Sequence, residues 1–127
     1  KGPGGHSFSA FGLPSAIHAM GRAIARIGDI RPPANPRTTF TVGTVRGGTS
    51  VNAIAGDAEM EIDIRSNENA PLLQIEEQIM QAIRDAVAIA VHLGAIAGLV
   101  AKQWRLAGRP HRVASGIIDD RAFSSRR

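Results

Sequence analysis

Apolar and polar residues alternate strictly along one stretch of the chain: Ala58, Met60, Ile62 and Ile64 interleave with Asp57, Glu59, Glu61, Asp63 and Arg65. A period of two sends successive side chains to opposite faces, so the stretch predicts a strand with one buried face and one wet or polar-bonded face. Residues 38–45 are rich in β-branched side chains and predict a second strand. Simple alternation puts Phe40, Val42 and Thr44 on one of its faces and Thr39, Thr41 and Val45 on the other. The period then changes. Ile17, Met20, Ile24 and Ile27 recur at helical spacing and predict a helix of about 14 residues that starts at Pro14 and stops near Gly28. Ala16, Ala19, Gly21 and Ala23 broaden its stripe and suit close approach to a sheet. Residues 31–36 hold three prolines and predict a linker. Asn69-Ala70-Pro71 opens a second helix, striped by Leu72, Ile75, Ile79, Ile83 and Val87, with Glu76, Glu77, Gln81 and Arg84 outside. Leu99–Leu106, with Trp104, predicts a closing strand before Gly108-Arg109-Pro110, and no period is evident over 111–127.

A short first strand around Gly2–Ser7 completes the order β-α-β-β-α-β. That order predicts an α+β fold of the ferredoxin-like plan, a four-stranded antiparallel sheet with two helices on one face. One domain over residues 1–110 is expected, followed by a tail over 111–127 that need not be ordered. A chain of 127 residues suffices for one core, and a composition 43% hydrophobic and 20% charged is that of a globular protein.

Composition narrows the chemistry. The chain has no cysteine, which removes disulfides, thiolate zinc sites and cysteine nucleophiles and makes a cytoplasmic setting the expectation. The apolar run 86–101 is broken by His92, Gly94 and Gly98 and falls short of the ~20 residues that span a bilayer, so no membrane partner is expected. The chain opens on Lys1 and glycines, without a charged leader and apolar stretch, and is expected to be an excised piece without a signal peptide. The net charge of +4 is uneven: +4 over residues 1–37, −2 over 38–66, −3 over 67–101 and +5 over 102–127. With an acidic centre and basic ends, the excess predicts a solvated tail, and nucleic acid is not an expected partner.

Familiar catalytic spacings are missing. His6, His18, His92 and His111 form no HxH, HxxxH or HExxH, and the carboxylates of the acidic strand suit a solvated face, so no metal ligand is assigned to this chain. No serine stands in a GxSxG elbow, and Gly2-Pro3-Gly4-Gly5 lacks the Lys-Ser/Thr ending of a phosphate loop. What remains is a polar side chain offered twice from glycine-rich backbone: His6 after Gly4-Gly5, in a loop with Phe8 and Phe11, and Asn52 after Gly47-Gly48. Arg65 ends the acidic strand. On the functional account His6, Asn52 and Arg65 project from strand ends and converge on a small anionic or carbonyl-bearing ligand. On the plainer account His6 is a solvated loop histidine, Asn52 a turn residue, and Arg65 a partner for Asp63 and Glu61.

Four segments together resemble a known module: Gly-Pro-Gly-Gly-His-Ser (2–7), the helix from Pro14 to Ile24, Thr-Val-Gly-Thr-Val-Arg-Gly-Gly-Thr-Ser-Val-Asn-Ala-Ile-Ala (41–55) and Asp-Ile-Arg-Ser (63–66). They are similar to the lid, or dimerisation, domain of the zinc-dependent metallopeptidase family of aminoacylase, acetylornithine deacetylase and carboxypeptidase G. The likeness covers about residues 1–90, and Leu106-Ala107-Gly108-Arg109-Pro110 echoes the family's closing strand only weakly. Ala55 stands where the family has proline. The resemblance implies a ferredoxin-like lid that forms a homodimer, with two zinc ions and a glutamate base in a separate catalytic domain of the parent and no cofactor in this chain. It implies that His6 donates to the scissile carbonyl in the partner subunit's site, where one such donor is worth ~3–4 kcal/mol in hydrolases. It further implies that Asn52 and Arg65 hold a peptide or N-acyl amino acid substrate, Arg65 through a carboxylate. On this reading the isolated chain hydrolyses nothing. The alternative is a stand-alone ferredoxin-like module that binds a small molecule or RNA. RNA readers of this fold stack bases on sheet aromatics, and apart from Phe40 the two central strands have none.

Overall fold

The alternating acidic stretch becomes an interior strand of the main sheet. The computed structural model describes residues 1–94, 101–107 and 111–118, with side chains over 1–90. In chain order the elements are β1 (Gly5–His6), α1 (Ala16–Gly28), β2 (Thr38–Gly47), β3 (Ala53–Ile54), β4 (Ala58–Ser66), α2 (Asn69–Gly94), β5 (Ala101–Ala107) and β6 (His111–Ile118). Along β4 Ala58, Met60, Ile62, Ile64 and Ser66 are buried, while Glu59, Glu61 and Asp63 are half-buried and Arg65 exposed. Period two therefore divides the strand as expected.

Both helices cover the inward face of β4. Met20 and Ile27 of α1, Met60, Ile62 and Ile64 of β4, and Ile75 and Ile83 of α2 are the largest fully enclosed side chains of one core cluster. Burying each contributes about 1.5–3 kcal/mol. The buried face of α1 is mostly small, with Ala16, Ala19 and Ala23 beside Met20 and Ile27. Ile17, part of the predicted stripe, is 44% exposed. Pro14 precedes the helix rather than starting it. Ser15 is the N-cap and its hydroxyl accepts from the His18 N–H, satisfying one of the orphan donors of the first turn.

The predicted faces of β2 hold only for its first half. Phe40 pairs with Ile64 and Val42 with Ile62, but the register then shifts, so Thr44 stands opposite Glu61 and Val45 opposite Met60. Gly43 is the extra residue of a β-bulge, and one extra residue inverts the alternation beyond it. Thr44 therefore belongs to the outer face, where its hydroxyl donates to Glu61 Oε2 at 2.8 Å, and Val45 takes the inner one.

Strand connectivity also departs from β-α-β-β-α-β. The four-stranded sheet has the order β2-β4-β6-β5, with antiparallel pairing throughout, and β1 pairs with β3 in a separate two-stranded sheet. The flank of β4 that the ferredoxin-like plan gives to the first strand is taken by β6, from Glu59↔Ile117 to Arg65↔His111. Residues 1–4 offer a proline and two glycines and no alternating run, a poor strand sequence, whereas 111–118 supply eight paired residues. The expected tail at 111–127 is thus a sheet strand as far as Ile118, and 119–127, with the arginines of the basic end there, lie outside the described residues. Of the predicted closing strand, 101–106 fall in β5, and Leu99 and Val100 lie outside the described residues.

At the far end of the β2–β4 ladder the buried hydroxyls of Thr38 and Ser66 meet at 2.9 Å, directly opposite one another. Thr38 Oγ1 donates to the Pro36 carbonyl at 3.0 Å, so the shared proton between the two hydroxyls comes from Ser66.

Candidate functional site

The two glycine-rich loops fold onto one another. Gly5 pairs with Ile54 and His6 with Ala53, and the Ser7 N–H donates to the Asn52 carbonyl at 2.9 Å. Gly5 has φ +146°, and a Cβ on it would stand 2.8 Å from Cβ of Ala10, so glycine is required where the chain doubles back. Past His6 the backbone turns, with the Ala10 N–H donating to the His6 carbonyl at 2.9 Å and the Leu13 N–H to the Ala10 carbonyl at 3.1 Å. Two further bonds fix the pair to the body: the Gly2 N–H to the Gly56 carbonyl, and the Ala16 N–H to the Ala55 carbonyl at the start of α1.

His6 is exposed, and its ring is oriented by backbone. The Phe8 N–H donates to His6 Nδ1 at 3.2 Å. A ring nitrogen that accepts carries its lone pair, so the neutral imidazole bears its proton on Nε2 and presents that N–H as a donor. Asn52 is also exposed. Its carboxamide oxygen accepts from Ser50 Oγ at 2.7 Å, so the plainer turn role is visible, while the amide NH2 remains the donor end. The chain thus offers a ring nitrogen and an amide from two loops joined through their backbones.

Arg65 lies elsewhere. The β1–β3 pair leads through Ala55–Asp57 into the Ala58 end of β4, whereas Arg65 stands seven positions up the strand, roughly 23 Å away at ~3.3 Å per residue. Its side chain is 60% exposed and its Nε donates to Asp63 Oδ2 at 2.7 Å, as the plainer account expects. The fold brings the backbones of the His6 and Asn52 loops together and leaves Arg65 apart, because an extended strand separates them. Convergence of all three on one small ligand is not realised within one chain.

Among the described residues no group of three or more His, Asp or Glu side chains comes close enough to hold a metal ion. Two features of the loop pair escape pattern reading. One is the Phe8 amide, which sets the imidazole tautomer and has no signature beyond its position two residues after His6. The other is Val51, fully exposed between Ser50 and Asn52, as Phe8 (89% exposed) and Phe11 (91%) are in the turn after His6. A hydrophobic residue between two polar ones at a turn tip is the available signal for it.

Two helices over an antiparallel sheet, with a stitched loop pair at one end, define a small α+β domain. The family model for the peptidase dimerisation domain matches residues 1–91, and the chain belongs to that family, whose role is self-association of peptidases. No curated protein matches the chain. No helix among the described residues is long and apolar enough to cross a membrane.

Proposed function

We propose that this chain is the dimerisation and substrate-binding lid of a zinc-dependent peptidase or amidohydrolase of the cytoplasm. In this reading residues 1–110 are the lid, on a ferredoxin-like plan whose sheet is extended by β6 of the following segment, which stands in the place of a first strand. His6 is its catalytic contribution, its Nε2–H aimed at the substrate carbonyl in the partner subunit's site, with Asn52 as a second donor to the same substrate, a peptide or N-acyl amino acid. The observation that carries the reading is the Phe8 N–H to His6 Nδ1 bond, because it leaves the imidazole in the tautomer a carbonyl donor needs. Zinc belongs to residues outside this chain, and the isolated chain is inactive.

Symmetry supports the homodimer and gives Arg65 a place. β2 is an edge of the four-stranded sheet. Two such edges related by a two-fold axis run antiparallel, which lays the Thr39 and Arg65 end of one chain against the Gly47 end of its partner. Arg65 then serves the substrate that the partner's loop pair engages, gripping a carboxylate. The outer face of β2 and β4 sets Glu59, Glu61 and Asp63 against Arg46 and Arg65 among threonines, which is not the basic surface that binds phosphate backbones and supports leaving nucleic acid out of the reading.

The test is His6→Ala in the full-length protein that carries this domain. Turnover is expected to fall by about 10²–10³, the loss typical of an oxyanion donor, with zinc content unchanged. Unchanged turnover, or lost zinc, refutes the donor role.

A further inference from the structure

Three hydrogen bonds meet at the turn that carries Asn52. The Ser7 N–H donates to the Asn52 carbonyl at 2.9 Å, the Ala53 N–H donates to the Ser50 carbonyl at 3.2 Å, and the Ser50 hydroxyl donates to the Asn52 carboxamide oxygen at 2.7 Å. The first two join backbone groups and fix where Asn52 stands. The third fixes which end of its side chain faces the turn.

That choice matters because a carboxamide donates from one end and accepts at the other, and the torsion that exchanges the ends is broad and roughly two-fold. An exposed asparagine left to itself offers either end. Here the Ser50 hydroxyl holds the oxygen, which leaves the two N–H groups of the amide for an acceptor outside the turn. The carbonyl that closes the turn onto Ala53 is one that any residue supplies, so turn closure makes no demand for serine at position 50. Backbone and side chain of Ser50 thus do separate jobs, and a substitution can remove one without the other.

We propose that Ser50 is a positioning residue, whose hydroxyl presets the Asn52 carboxamide with its NH2 outward as a donor to a substrate oxygen. This rests on the reading of Asn52 as a substrate-binding residue. Setting the amide in advance removes the cost of choosing its orientation at each binding event. Ser50 acts through Asn52 and needs no contact with the substrate.

The experiment measures kcat and KM of the full-length protein on an N-acyl amino acid, comparing Ser50→Ala, Ser50→Thr, Asn52→Ala and the double variant Ser50→Ala/Asn52→Ala. Both positions are exposed, so no variant removes a buried contact. Ser50→Ala is expected to lower kcat/KM about three- to tenfold, the scale of one lost hydrogen bond, through whichever of kcat and KM Asn52→Ala changes. Ser50→Thr, which keeps the hydroxyl, should restore it. Once Asn52 is alanine, replacing Ser50 should have no further effect, because the group it orients is gone. A Ser50→Ala loss of the same size in that background overturns the inference, and so does parent activity in Ser50→Ala when Asn52→Ala is impaired; in that second case the reading of Asn52 stands and the positioning claim alone fails. Parent kinetics in Asn52→Ala overturn the reading of Asn52 and the inference with it. A readout apart from activity is the ¹⁵N relaxation of the Asn52 side-chain amide, which should show more motion in Ser50→Ala than in the parent, and equal order in both overturns the inference.

Discussion

Ser7 and Asn52, forty-five positions apart in sequence, are joined by a 2.9 Å backbone hydrogen bond. Through it and the two-residue β1–β3 ladder, two loops that would otherwise move separately are held as one object. Its integrity depends on Gly5 more than on any side chain.

Gly5→Val is therefore expected to unstitch the loops and leave the core intact. The substituted residue meets Cβ of Ala10 and must adopt φ +146°, a strain of order 1–3 kcal/mol that two ladder pairs cannot hold. Hydrogen exchange should show the Ser7 amide losing protection while amides of β4 keep theirs. Equal protection in variant and parent contradicts the requirement for glycine.

The buried hydroxyl pair gives a second expectation. Ser66→Ala removes the donor to Thr38 Oγ1 and the acceptor for the Glu68 N–H, at 2.9 and 3.3 Å. Stability in denaturant unfolding should fall by about 1–3 kcal/mol. Ser66→Thr, which keeps a hydroxyl, should recover part of it.

Two positions on α2, near in sequence, should behave very differently. Ile83→Ala empties space at a fully enclosed point of the core and is expected to cost about 2–5 kcal/mol. Asp85→Asn breaks the 3.4 Å ion pair with Arg26 between the helices, but both side chains are more than 40% exposed, so a change within about 0.5 kcal/mol is expected. Urea midpoints of the two variants decide it.

Edge pairing through β2 makes a prediction about assembly. Thr41 and Val42 are consecutive, so one N–H faces β4 and the other faces the open edge. Proline is tolerated in a strand only where the missing N–H was unpaired within the sheet. Of Thr41→Pro and Val42→Pro, the one that folds should run as a monomer in light scattering at micromolar concentration, where the unsubstituted chain runs as a dimer. A folded proline variant that still dimerises places the interface elsewhere.

The residues that announce themselves in the sequence are those whose neighbours are local. Alternation along 58–66 and the helical stripe through Leu72, Ile75, Ile79 and Ile83 give β4 and α2 because each pattern is written within one element. The faces of β2 are not legible in the same way, since Gly43 looks like any other strand residue until its partners on β4 are counted. Nor is the place of β6: nothing local to 111–118 says that its backbone fills the flank of β4. For the site, glycine flanks point to His6 and Asn52 because close backbone approach needs them. The separation of Arg65 follows from the length of an extended strand, which spacing along the chain does not express.

The stitched loops touch the body at only a few points, chiefly Gly56, Ala55 and the start of α1. His6 and Asn52 thus stand on a bracket fastened beside the wall of packed isoleucines and methionines, not set into it. Residues at the tip are free to change from one descendant to the next without weakening the wall, and a single scaffold of this kind can be refitted for new substrates at small structural risk.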